Sequence, residues 1–163
     1  MVEKKLVELK ARAGNLDELR EAVLKMGGRY IRTSMQIDTY FNNVKGRLKL
    51  RVMDSEAKLI YYLRPDIADI KESDVKIVEV EDWRSIERAL SETLGIYARV
   101  VKLREIYMLD GVEIHLDRVE GLGTFIEFEL EVKRGEEKIG RKKLKKLAAK
   151  LGLRDSDLLD VSY

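Results

Sequence analysis

Charged and apolar residues alternate position by position through segment after segment of this chain. Glu8, Lys10 and Arg12 alternate with Val7, Leu9 and Ala11, and Arg47, Lys49 and Arg51 with Leu48, Leu50 and Val52. Lys102 and Arg104 alternate with Val101 and Leu103, and Glu113, His115 and Asp117 with Val112, Ile114 and Leu116. Glu127, Glu129 and Glu131 alternate with Ile126, Phe128, Leu130 and Val132. A β-strand turns successive side chains to opposite faces, so each segment has one ionic and one apolar face. Repeated around a closed sheet, the ionic faces form either a wet exterior or an interior lined with acids and bases. The second arrangement would suit a polyanion and its metal ions.

The 163 residues are enough for a sizeable core and read as one domain, 1–163. No apolar run reaches the roughly eighteen residues of a membrane span, and Met-Val-Glu-Lys-Lys at the start lacks the apolar stretch of a signal peptide. There is no cysteine, which removes disulfides and thiolate zinc sites. These features lead to the expectation of a cytoplasmic protein without a membrane partner. The 32 basic and 30 acidic residues give a net charge of +2, which argues against a general nucleic-acid binder. Charged residues make up 38% of the chain, a proportion that fits the ion-pair-rich surface of a thermophile. A homodimer is left open.

Eight strands are expected, over 4–12, 30–41, 47–53, 58–64, 75–80, 98–108, 112–119 and 124–134. Asn15 and Glu18 look like a capping box ahead of a helix carrying Leu16, Leu19, Val23 and Met26, which Gly27-Gly28 ends. Asp82 caps a second helix, with Trp83, Ile86, Leu90 and Leu94 inward. A third starts near Arg141 and carries Leu144, Leu147, Ala148 and Leu151; Ser156 is expected to cap a last short turn. Pro65 stops a strand, and 67–73 reads as a mobile polar loop. Asp110-Gly111 is a strong hairpin turn. The fold class is therefore α+β: an eight-stranded, mainly antiparallel barrel with flanking helices. If the helices pack outside, against the apolar faces, the ionic faces turn inward.

The acidic set is Glu8, Asp117, Glu127 and Glu129, with Glu131 in reserve. Magnesium and manganese prefer carboxylate oxygens. The basic set is Lys10, Arg12, Lys49, Arg51, Arg64, Lys102 and Arg104, with Arg47 and Lys76 as further members. Arginine forks bind phosphate oxygens in pairs, and lysine acts as a point charge. The bland alternative is a solvated face of cross-strand ion pairs, worth little at a surface. His115, the only histidine, reads as a plain strand residue with a minor role near a ligand left open, and Tyr40, Tyr61, Tyr62 and Tyr107 read as packing residues. Neither a dinucleotide fingerprint nor a P-loop is present.

Several of these segments, in this order, resemble the CYTH domain, the family of class IV adenylyl cyclases and thiamine triphosphatases also called triphosphate tunnel metalloenzymes. Leu6-Val7-Glu8-Leu9-Lys10-Ala11-Arg12 resembles its Glu-x-Glu-x-Lys signature. Gln36-Ile37-Asp38-Thr39-Tyr40-Phe41, Arg47-Leu48-Lys49-Leu50-Arg51 and Leu63-Arg64-Pro65-Asp66 resemble the strands that follow. Val101-Lys102-Leu103-Arg104-Glu105-Ile106-Tyr107, His115-Leu116-Asp117, Glu120-Gly121-Leu122-Gly123 and Phe125-Ile126-Glu127-Phe128-Glu129 complete the likeness, which is greatest to the cyclase-like branch.

The resemblance implies a tunnel in which acids hold one or two magnesium or manganese ions and bases hold a nucleoside or inorganic triphosphate. By position, Glu8, Asp117, Glu127 and Glu129 would be metal ligands. Lys10, Arg12, Lys49, Arg51, Arg64, Lys102 and Arg104 would contact phosphate, with Lys102 and Arg104 also acting in catalysis. The implied activity is that of an adenylyl cyclase making cyclic AMP and pyrophosphate. The alternatives are hydrolysis of tripolyphosphate, thiamine triphosphate or a nucleotide, and binding without turnover. Two departures stand out. Leu6 occupies the first glutamate position of the signature, and the apolar residues that often follow a segment like Ser162-Tyr163 are missing.

Overall fold

The computed structural model describes residues 1–43, 45–63 and 71–159. Its strands are β1 (Val2–Arg12), β2 (Arg29–Phe41), β3 (Arg47–Met53), β4 (Glu56–Leu63), β5 (Lys71–Glu79), β6 (Ile96–Leu109), β7 (Val112–Val119) and β8 (Gly123–Val132). Helices α1 (Leu16–Lys25), α2 (Trp83–Leu94) and α3 (Glu137–Lys150) and a 3-10 turn at Asp155–Asp157 accompany them. The strands close into a barrel in the order β1-β5-β4-β3-β2-β6-β7-β8, and β8 returns to β1. Every neighbouring pair is antiparallel. The chain thus forms the expected eight-stranded barrel with flanking helices. None of its described helices is long and apolar enough to cross a membrane.

Two helices decide which face of the strands turns inward. Leu16 and Val23 of α1 and Leu144, Leu147 and Ala148 of α3 join one buried cluster with Val7, Leu9 and Ala11 of β1, Ile114 and Leu116 of β7, and Ile126 and Phe128 of β8. Each of the Leu, Val, Ile and Phe side chains contributes about 1.5–3 kcal/mol by leaving water. The main core therefore lies outside the barrel wall, under the helices, and the alternation sends the ionic residues of the same strands into the barrel. Gly140 makes the close approach of α3 feasible. A Cβ there would lie 2.9 Å from Val132 and 3.3 Å from Val7. The Asn15 side chain accepts from the amides of Asp17 and Glu18 at 2.9 and 3.3 Å, which fixes the start of α1. Arg20 then ties α1 to β6 by donating to both oxygens of Glu105, at 2.7 and 2.8 Å.

Some boundaries differ from expectation. Residues 71–73 are strand rather than loop, because β5 stays in register with β1 as far as Glu8 opposite Lys71 and its backbone groups are paired there; residues 67–70 lie outside the described residues. Helix α3 starts at Glu137, a turn earlier than expected, since Gly140 packs within it instead of interrupting it. The 3-10 turn is capped at Arg154, whose amide donates to Asp157, rather than at Ser156. Helix α2 covers little. Trp83, Ile86 and Leu90 are half-buried, and Leu94 is exposed rather than inward.

Candidate active site

One cavity of about 230 Å³ runs inside the barrel, and its lining is unequal around the circumference. On the side of β2, β3 and β6, cations gather around Asp38, which is completely buried. Arg51 donates to both Asp38 oxygens, at 2.8 and 2.7 Å. Lys102 Nζ lies 3.0 Å and Lys49 Nζ 3.5 Å from Oδ2. Register explains the meeting: Asp38 faces Arg51 across the ladder, and Lys49 and Lys102 sit one inward position away on either side. Burial pushes the Asp38 carboxyl up, but the charges of Arg51, Lys49 and Lys102 outweigh it and hold it well below the usual carboxylate range. Lys102 is driven the other way, well below an ordinary ammonium, by burial first and then by the crowd of like charges led by Arg104. Lys49 also stands 5.5 Å from the ring centres of both Tyr40 and Tyr62.

The side made by β1, β7 and β8 is rich in carboxylates. Glu8 faces Glu129 across the β1–β8 ladder, and Lys10 faces Glu127. Glu8, Glu127 and Glu129 each bring a carboxylate oxygen within 4.8 Å of the other two. Glu113, His115 and Glu129 form a second such group. Burial, helped by Glu127 and Glu8 and opposed by the charge of His115, pushes the Glu129 carboxyl up to about 7. Ser73 donates to Glu8 at 3.3 Å. His115 Nε2 lies 2.7 Å from Glu113, while its buried Nδ1 has no hydrogen-bond partner and stands 3.8 Å from Glu127. Burial and the Arg104 charge press the imidazolium down, yet Glu113, Glu127 and Glu129 outweigh them and lift it to about 9.

Arg104 joins the two sides. It donates to both oxygens of Asp117 at 2.8 Å and to Glu127 at 3.1 Å. Lys10 Nζ is 3.8 Å from the same Glu127 oxygen. Along β4 and β5 the lining is apolar: Ile60, Tyr62, Val75 and Ile77 pack together with Leu6 of β1. One inward position beyond Asp38, Lys102, Asp117 and Glu127, the apolar residues Tyr40, Val100, Val119 and Phe125 cluster within the barrel.

A sequence profile of the CYTH domain matches residues 4–163. This chain belongs to the CYTH family. A Methanocaldococcus jannaschii protein named as a candidate adenylate cyclase is 32% identical over 133 residues, which are 76% of this chain and 75% of that protein. Among solved structures, the PH1012 protein of Pyrococcus horikoshii OT3 superposes with a TM-score of 0.85 at 25% identity, over 97% of this chain and 96% of that one. A candidate adenylyl cyclase of Hippeastrum, described as having a dominant triphosphatase activity, shares the fold with a TM-score of 0.64 at 17% identity, over 97% of this chain and 91% of its own.

The CYTH signature residues fall into this cavity unevenly. Glu8, Lys10, Lys49, Arg51, Lys102, Arg104, Glu127 and Glu129 all line it. Asp117 stands apart from both three-residue ligand groups, with both its oxygens engaged by Arg104. Burial raises its carboxyl, but Arg104 more than reverses this and brings it down to about 2. Arg12 is exposed at the barrel end, its guanidinium 5.6 Å from the Phe125 ring centre, and does not line the cavity. Arg64 lies outside the described residues. Lys76 points outward, over the Tyr61 ring at 5.4 Å, because it alternates with the inward Val75 and Ile77. Glu131 lines the mouth and is exposed.

Asp38 lies outside the acidic set read from the sequence, and two tyrosines read there as packing residues turn into the cavity. Asp38 organises the cations, and Tyr40 and Tyr62 line the cavity rather than the outer packing, where Tyr107 sits. The signal was present in the alternation, which puts Asp38 and Tyr40 on one strand face and Tyr62 with Ile60 on another. His115 also shares the inward face of Glu113 and Asp117. For a divalent cation, the all-oxygen donors of Glu8, Glu127 and Glu129 are of the right kind for magnesium or manganese. Three carboxylates with oxygens within 4.8 Å of one another crowd negative charge that a cation would relieve. The residues present fit such an ion.

Proposed function

We propose that this CYTH protein is a divalent-metal-dependent enzyme acting on triphosphates, with the reaction of a class IV-like adenylyl cyclase, ATP to cyclic AMP and pyrophosphate. The observation that carries this reading is a single cavity in which Lys10, Lys49, Arg51, Lys102 and Arg104 converge beside the Glu8–Glu127–Glu129 carboxylates. A triphosphate carries several negative charges within a short span and needs several cations held in fixed positions. Asp38 and Asp117 hold the Arg51 and Arg104 forks with paired hydrogen bonds, so these donors are oriented before any ligand arrives. Lys102, crowded by like charges, gains from an incoming anion. Magnesium or manganese bound by Glu8, Glu127 and Glu129 would supply Lewis-acid charge to the phosphoryl oxygens.

In the cyclase reaction the ribose 3′-hydroxyl gives up its proton to water and its oxygen forms a bond to the α-phosphorus, while the bond from that phosphorus to the α,β-bridging oxygen breaks and pyrophosphate leaves with that oxygen. The lysines and arginines neutralise the charge that grows on the leaving oxygens. The name of the 32% identical archaeal relative supports a nucleotide as substrate.

The test is incubation with ATP and, separately, tripolyphosphate, each with magnesium or manganese, wild type beside Glu127→Ala. Cyclic AMP and pyrophosphate, lost in the variant, are expected. Orthophosphate alone would make the protein a triphosphatase. No turnover under any metal would leave a binding protein.

A further inference from the structure

We propose that the apolar strip Leu6, Ile60, Tyr62, Val75 and Ile77 seats the organic group of a triphosphate ester, and that it makes the tunnel select a nucleoside triphosphate over inorganic tripolyphosphate. The inference rests on the triphosphate reading above and adds the part of the site that reads the rest of the substrate.

The strip lines the same cavity as the cations and carboxylates, yet carries no charge. Its members come from inward positions on three adjacent strands. Ile60 faces Ile77 and Tyr62 faces Val75 across the β4–β5 ladder, and Leu6 faces Ser73 of β5. These are also the positions where the ionic alternation of the other strands gives way. On β3, one strand over, the inward residues are Lys49 and Arg51; on β8, on the far side of β1, they are Glu127 and Glu129. The strip is separate from the main core, which lies outside the wall beneath α1 and α3, so it is not needed to hold the helices.

An inorganic polyphosphate is anionic along its whole length. Lying in this cavity it would turn part of its surface to the hydrocarbon of the strip, which has Lys49 at one edge and Lys4 at the other but offers far fewer charged partners than the Asp38 side. An ester has one apolar, flat portion that gains by leaving water against such a surface, and a charged portion that belongs with the cations. Lys49 marks the boundary. Its ammonium reaches the Asp38 cluster on one side and faces the Tyr62 ring of the strip on the other. Tyr62 offers an aromatic face against which a base can stack. Leu6 sits two residues before Glu8 on the same inward face, so hydrocarbon and metal-binding carboxylates adjoin on one strand. Leucine at this position extends the strip where a glutamate would have interrupted it.

Binding of the bis-methylene analogues of ATP and of tripolyphosphate, in which neither bridging position can be cleaved, should be measured by calorimetry with magnesium. Wild type should be compared with Leu6→Asn and with the shape-conserving Val75→Thr, each checked for an unchanged circular dichroism spectrum. Leu6→Asn should weaken the ATP analogue about tenfold and Val75→Thr about threefold, with the tripolyphosphate analogue moved less than about twofold. Equal weakening of both analogues, or no change in either, would make the strip purely structural and overturn the inference while leaving the triphosphate reading intact. Failure of wild type to bind either analogue would overturn that reading as well.

Discussion

Asp38 and Glu129 are both carboxylates inside the same barrel, and the barrel treats them in opposite ways. Asp38 meets Arg51, Lys49 and Lys102 and is held ionised well below its usual range. Glu129 meets Glu127 and Glu8 and is pushed up to about 7. Burial raises both; what differs is the company each keeps. Asp38 already has its counter-ions, so it acts as a scaffold that aims cations into the cavity. Glu129 belongs to a group of carboxylates whose mutual repulsion a divalent cation would relieve. The cavity is thus uneven across its width: Lys49, Arg51 and Lys102 gather around Asp38 on one side, and on the other Glu8, Glu127 and Glu129 crowd together with Lys10 and Arg104 against Glu127.

Removing the scaffold should do the most damage. Asp38→Ala leaves three cations together without their shared carboxylate, and should lower stability by about 3–5 kcal/mol in chemical denaturation. The pH dependence follows from the same charges. The Asp38 carboxyl is lower in the folded protein than the ordinary 3.8, so its stabilisation is fully present above that value and is lost as the pH falls through and below it. Asp38→Asn should therefore flatten the acid limb of the stability curve below about pH 4. Glu129→Gln should behave oppositely, with metal-free stability kept or raised because a repulsion is gone. What it should lose is stabilisation by ligand. In wild type, manganese at a hundred times its Kd should add about 2.7 kcal/mol, and in the variant most of this gain should vanish.

A change outside the barrel gives the smallest effect and sharpens the contrast. Gly140→Ala crowds Val132 and Val7 and should cost about 1–3 kcal/mol, with manganese and triphosphate binding unchanged. Loss of ligand binding in that variant would mean that the cavity is not independent of the helix packed on its outer wall.

Much of this arrangement was written in the period of the chain. Alternation at Glu8-Leu9-Lys10 and Glu127-Phe128-Glu129 is enough to place those charges on one face, and the segment order is enough for an antiparallel barrel. The direction of that face is a tertiary fact. It follows from Leu144 and Val23 finding the outer sides of β1, β7 and β8. Partners are less legible than faces. Asp117 reads in the sequence only as one more inward carboxylate, and register is what puts it opposite Arg104, which donates to both its oxygens. Arg12 continues the pattern of Lys10 yet falls where the barrel ends, and only the inward packing of Val75 and Ile77 shows that Lys76 between them faces out. The apolar strip was hidden because Leu6 reads as a missing glutamate until Ile60, Tyr62 and Val75 are brought beside it.

The most direct test of this unevenly lined tunnel is an anomalous difference map from crystals grown with manganese and the bis-methylene analogue of ATP. A manganese peak among Glu8, Glu127 and Glu129, with phosphate oxygens on Lys49, Arg51, Lys102 and Arg104, is the predicted result. Manganese and phosphate found only on the outer surface, with the cavity holding water alone, would contradict it.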